Sequence, residues 1–167
     1  IRSMESTRQI TRAMEMVAAS KLRRAQDRIQ DSRPYFEILY RTIAHIAGTG
    51  PDFSSPYLTP RSGRRTCCIV IAGDRGLAGG YNNNVFQLVQ KELDGKELCI
   101  LPIGKRAVEY FRSCGVSVFT DSYAEAAEVS IGDCFSLSKQ LAKAYLANEF
   151  DEICIAYTNF VSVLSQT

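Results

Sequence analysis

Residues 9–46 read QITRAMEMVAASKLRRAQDRIQDSRPYFEILYRTIAHI, and this stretch decides the architecture. Ile10, Met14, Ala18, Leu22, Ala25, Ile29, Phe36, Leu39, Ile43 and Ile46 recur at helical spacing, with Ser32 filling the one gap. From Leu22 onward the steps alternate between three and four residues, the rhythm of a left-handed coiled-coil seam. Upstream the steps are all four, a stutter that locally unwinds a supercoil. A second stripe of Arg8, Arg12, Met16, Ala19 and Arg23 lies on the opposite side. A helix of about 45 residues spans roughly 65 Å, against ~10–14 residues for a usual globular helix. An element of that length reaches between bodies, so a mechanical or connective role is expected. The sequence offers no second helix to cover its seam.

Pro34 removes the N–H that would bond to the Gln30 carbonyl, so a kink is expected there. The heptad continues in register through it, which predicts a bend rather than a stop. Gly48-Thr49-Gly50-Pro51 ends the helix by left-handed capping and proline exclusion. The expected organisation is a shaft-like helix over 1–47, a linker over 48–65 and an α/β domain over 66–167.

From Thr66 the pattern changes. Residues 66–72 (TCCIVIA), 98–103, 116–120 and 153–158 are short apolar runs, and helical stretches over 83–93, 105–113 and 133–149 lie between them. Buried strands alternating with helices predict an open, mostly parallel sheet with helices on both faces, a Rossmann-like arrangement. Residues 161–164 are expected to begin a fifth strand, and residues beyond the chain are expected to complete the sheet. The chain starts without Met and stops at Gln166-Thr167, so a piece of a longer protein is expected.

The 167 residues are 46% hydrophobic, enough for one core with an appendage. The net charge of +2 is unevenly spread: residues 1–41 hold nine Lys/Arg against five acids, leaving the remainder slightly acidic. A localised positive arm suits a negatively charged partner. Of the six cysteines, Cys67, Cys68, Cys99 and Cys154 fall in strand-like runs, Cys114 and Cys134 in helix-like ones. None makes a CxxC pair, so no zinc site is expected, and reduced, mostly buried thiols are. No apolar run is long enough to span a membrane.

The loop Gly73-Asp74-Arg75-Gly76-Leu77-Ala78-Gly79-Gly80-Tyr81-Asn82 follows the first strand. Two readings of it stand. In a doubly wound fold, nucleotides bind here, and glycine-rich backbone at a helix start suits an anion. Yet it is neither GxGxxG nor GxxxxGK[ST], and no lysine follows to reach a phosphate. The second reading has Gly79-Gly80 serving a tight turn, with Asp74 and Arg75 pairing with each other or with a partner. The lone His45 has no placed Cys, Ser or carboxylate, so no catalytic residue and no metal or cofactor site is expected. Lys21, on the apolar stripe, is either a snorkelling stem or a partner contact.

Residues 9–21 (QITRAMEMVAASK) and 73–82 (GDRGLAGGYN), with Arg33-Pro34-Tyr35 between them, together resemble the gamma subunit of F-type ATP synthases. The resemblance covers the whole chain. Ala78 stands where many members carry Cys, and Tyr81 where Phe is common. The family's C-terminal helix, which pairs with the N-terminal one, is missing. The cysteine-bearing insert of plastid members is not seen, which favours a bacterial-type subunit. The resemblance implies a non-catalytic rotor that carries torque between a proton-driven membrane c-ring and the catalytic beta subunits. It implies alpha, beta and epsilon subunits as partners and a peripheral location at the cytoplasmic face of the membrane. Its implied contacts with the beta subunits are Arg8, Arg12, Met14, Met16, Arg23 and Arg75, and Lys21 stays a candidate partner contact beside the snorkelling reading. The rival readings are a nucleotide-binding α/β enzyme with a basic arm and a nucleic-acid binder. No aromatics interleave Arg8–Arg28, which weakens the second.

Overall fold

The computed structural model describes residues 2–48 and 55–159. The chain divides into two compact units, Ile1–Thr59 and Pro60–Thr167. The first unit is dominated by α1, Arg2–Gly48, an unbroken helix of 47 residues that passes through Pro34. Its length is roughly 70 Å at 1.5 Å per residue. The helix therefore continues past the proline, as the unbroken heptad predicts. Ser32 donates its hydroxyl to the Ile29 carbonyl at 3.0 Å just ahead of it. The fifth strand expected at 161–164 lies outside the described residues.

The second unit is a four-stranded, all-parallel sheet in the order β3-β2-β1-β4. Its strands are β1 (Arg65–Ile71), β2 (Glu97–Ile103), β3 (Ser117–Val118) and β4 (Glu152–Ala156). The helices between them are α2 (Tyr81–Glu92), α3 (Lys105–Ser113) and α4 (Ile131–Leu146). Strand side chains alternate in direction, so each helix layer has its own core. Cys68, Val70, Ala72 and Ile100 pack with Val85, Phe86 and Val89 of α2 and with Ala107 and Phe111 of α3. On the other face Cys67, Ile69, Leu101 and Ile103 meet Leu137, Leu141 and Ala144 of α4, with Phe150. Burial on both faces explains why β1 is apolar at every position from Cys67 to Ile71. Each large side chain removed from water this way contributes roughly 1.5–3 kcal/mol.

Several boundaries differ from the sequence reading, and two of the differences have a plain physical reason. α4 starts at Ile131 because Ser130 and Asp133 form a capping box: the Ser130 hydroxyl accepts from the Asp133 N–H at 3.2 Å. Asp133 accepts in return from the Ser130 N–H at 2.9 Å. β3 is cut to two residues by the turn at Gly115, whose φ is +70°. Part of the stretch read as a linker is tied to the α/β unit. The Arg61 guanidinium donates to the carbonyls of Tyr145 (2.7 Å) and Phe150 (2.9 Å) and lies 3.7 Å from the centre of the Tyr145 ring.

Candidate functional site

Along α1 the residues read as a seam form one continuous apolar stripe, and they remain open to solvent. Ile10, Leu22, Ile29, Phe36, Leu39, Ile43 and Ile46 are all exposed, Phe36 to 59%. Ala18 and Ala25 are exposed as well, and only Gln26 and Ser32 among the described side chains of α1 are half-buried. Contiguous exposed apolar surface of this kind is characteristic of interaction sites. The opposite face carries Arg8, Arg12 and Arg23, which make no ion pair among the described residues. Met14 and Met16 are exposed to 67% and 63%, and Lys21 is exposed. The sequence reading left out two further apolar side chains on the distal half of the helix, on different faces: Ile38 and Tyr40 are exposed to 68% and 76%. Ile38 was the one with an available signal, because it lies off the seam, whereas Tyr40 flanks it.

The α/β unit presents the loop between β1 and α2. Helices α2 and α3 cover one face and α4 the other, so the winding reverses between β1 and β4. That is the topological switch point, where doubly wound folds bind ligands. A cavity of about 400 Å³ lies there, lined by Ala78, Gly80, Tyr81, Asn84, Val85, Leu88, Tyr157 and Thr158. No Lys or Arg lines it, so it offers no cation for a phosphate. The described residues hold no cluster of His, Cys, Asp and Glu suited to a metal ion.

The loop's polar residues are spent on its own framework. Asp74 does not pair with Arg75, which corrects one of the expectations. Its Oδ1 accepts from the N–H groups of Ala126 (2.9 Å) and Lys105 (3.2 Å), and its Oδ2 from that of Ala127 (3.2 Å). Burial raises the Asp74 pKa, but these three donors and the Lys105 charge outweigh it and leave the carboxyl below its ordinary value. Asn82 closes the loop: its Oδ1 accepts from the Gly73 N–H at 2.8 Å, and its amide donates to the Arg75 carbonyl at 3.4 Å. The side chains the loop leaves outward include Arg75 and Leu77. Leu77 is fully exposed at φ +60°, a backbone region costly for a leucine. Arg75 and the helical candidates belong to different units.

A family model described as ATP synthase matches residues 1–167. The chain belongs to the ATP synthase gamma chain family. Membership makes it a subunit of the ATP synthase complex. For this gamma chain the α/β fold is as the sequence predicts: a long N-terminal helix and an open parallel sheet with helices on both faces. Among its described residues, no helix is long and apolar enough to cross a membrane.

Proposed function

We propose that this chain is the central-stalk rotor of ATP synthase, carrying torque between the proton-driven membrane c-ring and the catalytic beta subunits. It performs no bond chemistry of its own. Its partners are the alpha and beta subunits of the catalytic hexamer, the epsilon subunit and the c-ring, and it works peripherally at the cytoplasmic face of the membrane. The observation that carries this reading is α1: a 47-residue helix whose apolar seam is uncovered from Ile10 to Ile46. A second helix on that seam makes a two-stranded shaft, stiffer than either strand alone. Residues 1–47 are the shaft strand, 48–65 the connection and 66–167 the body.

The basic face supplies the bearing. Arg8, Arg12 and Arg23, with Met14, Met16 and Lys21 nearby, meet acidic parts of the beta subunits, and Arg75 of the α/β unit meets an acidic beta segment as well. Exposed ion pairs are worth only about 0–1 kcal/mol each, so they guide a turning shaft without locking it. Charge reversal at Arg8, Arg12 and Arg23 together tests this. In reconstituted vesicles the proton gradient formed per ATP hydrolysed is expected to fall severalfold. Unchanged coupling removes these arginines from the bearing.

A further inference from the structure

Four of the six cysteines are arranged as two abreast pairs. Cys67 and Cys68 are consecutive on β1, so their side chains leave opposite faces of the sheet, and each belongs to a different core. In the strand register Cys67 stands opposite Cys99 of β2, and Cys68 opposite Cys154 of β4. In each pair the β1 thiol is buried, 0% exposed for Cys67 and 1% for Cys68, while its partner is half-buried. The two thiols of each pair interact, and the Cys68 S–H points to the Ile69 carbonyl oxygen at 3.9 Å. Neighbouring strands run about 4.8 Å apart, inside the ~4.4–6.8 Å range of Cα separations that a disulfide bridges.

Access from solvent also exists. Cys68 and Cys154 both line a cavity of about 260 Å³, with Leu88, Val89, Leu93 and Tyr157 around them. Cys99 lies within 3.9 Å of the Ser117 hydroxyl at the half-exposed β2–β3 edge. Among the described residues no metal cluster claims these thiols.

We propose that the Cys67–Cys99 and Cys68–Cys154 pairs are sites of reversible oxidation by a peroxide. The partner thiolate, Cys99 or Cys154, attacks one peroxide oxygen and the O–O bond breaks. This gives a sulfenic acid and hydroxide, which takes up the proton lost by the thiol to leave as water. The β1 sulfur then attacks the sulfenic sulfur, the S–O bond breaks, and the thiol proton leaves with the hydroxyl as a second water. Two thiols are oxidised to one disulfide and one peroxide is reduced. Interaction with the neighbouring β1 thiol holds Cys99 and Cys154 below the ordinary thiol range despite their partial burial, which favours the attacking thiolate. Side chains abreast on parallel strands sit farther apart than the ~3.5–4.5 Å Cβ separation of a relaxed disulfide. The bonds formed are therefore strained and easily reduced again.

The test uses the assembled ATP synthase, treated with increasing hydrogen peroxide, blocked with an alkylating agent, digested without reductant and read by mass spectrometry. Cys67–Cys99 and Cys68–Cys154 linked peptides are expected, formed severalfold faster than oxidation of the exposed Cys114 and Cys134, and lost on adding dithiothreitol. Because Cys67 and Cys68 share a peptide, Cys67→Ala and Cys68→Ala assign the links: each variant loses one bridge and leaves its partner trapped by dimedone. Three results overturn the proposal: a Cys67–Cys68 bond, first oxidation at Cys114 and Cys134 with the sheet thiols intact, or sulfinic acid without any linked peptide. A link in one pair alone overturns it for the other.

Discussion

Gly104 lies so close to Ala72 that a Cβ placed on it would stand 2.2 Å from the Ala72 carbonyl oxygen. Its φ of +101° is one that side-chain-bearing residues rarely adopt. The pair fixes the C-terminal ends of β1 and β2 side by side, directly beneath the β1–α2 loop. Gly104→Ala is therefore expected to destabilise the α/β unit by at least about 1–3 kcal/mol from backbone strain alone. Urea denaturation reads this as a lower midpoint. An unchanged midpoint means that the loop framework relaxes freely.

The aromatic contacts of α3 give a second prediction. Phe111 is 1% exposed, with its ring 5.5 Å from that of Phe86 and 5.1 Å from that of Tyr110. Phe111→Ala is expected to cost about 3–5 kcal/mol, the usual range for emptying such a site. Phe135→Ala, on the exposed side of α4, is expected to change stability by less than about 0.5 kcal/mol. Equal effects in the two variants contradict the core assignment.

Acid sensitivity follows from the carboxylates. Asp151 accepts two hydrogen bonds from the Arg65 guanidinium, at 3.0 and 2.8 Å, and a third from the Arg65 N–H at 3.1 Å. The Arg65 side chain holds its pKa down first, and the backbone donor adds to it. Asp74 is also depressed, after its burial is outweighed. A carboxyl with a lowered folded pKa stabilises the fold above its unfolded value of about 3.9 and loses that contribution as pH falls through the folded value. Stability is thus expected to be flat near neutrality and to fall below about pH 4. Asp151→Asn and Asp74→Asn are each expected to flatten that acid limb in denaturation midpoints taken across the range. An acid limb as steep as wild type in both variants refutes the assignment.

The framework role of Asp74 has a local signature as well. Asp74→Asn keeps an acceptor for Ala126 and Lys105 but places an amide N–H₂ toward Ala127. Hydrogen exchange at the Ala127 amide is expected to rise more than at Ala126. Equal protection at all three amides in the variant argues against the clamp.

The fold was legible because its decisive residues carry local signals. Continuous apolar runs marked β1, β2 and β4, and the heptad from Leu22 to Ile46 marked α1 through Pro34. The Ser130–Asp133 capping box was equally local and sets the start of α4 two residues before the sequence reading put it. Asp74 was not legible, because its partners are backbone groups 31, 52 and 53 residues away, which no side-chain pattern announces. The cysteine pairs were hidden for the same reason: Cys67 opposite Cys99 and Cys68 opposite Cys154 are facts of register. Leu77 stood inside a recognisable loop, but its full exposure at positive φ emerges only from the backbone.

The seam of α1 makes a prediction about assembly. Ile29→Asp with Phe36→Asp puts charge where a partner helix is expected, and both positions are already solvent-exposed here. Incorporation of the chain into the ATP synthase complex is expected to drop severalfold, while Gln30→Asp, off the seam, is expected to assemble normally. Full incorporation of the double variant contradicts the two-stranded shaft.

Rotation itself is the most direct measurement. With Cys114→Ser, a gold rod is attached through the exposed Cys134 on α4, in complexes fixed to glass by their catalytic subunits, and ATP is supplied. The rotor reading predicts stepped, unidirectional rotation of the rod that stops when ATP is withdrawn. A rod that stays fixed in complexes still hydrolysing ATP at the unlabelled rate would contradict it.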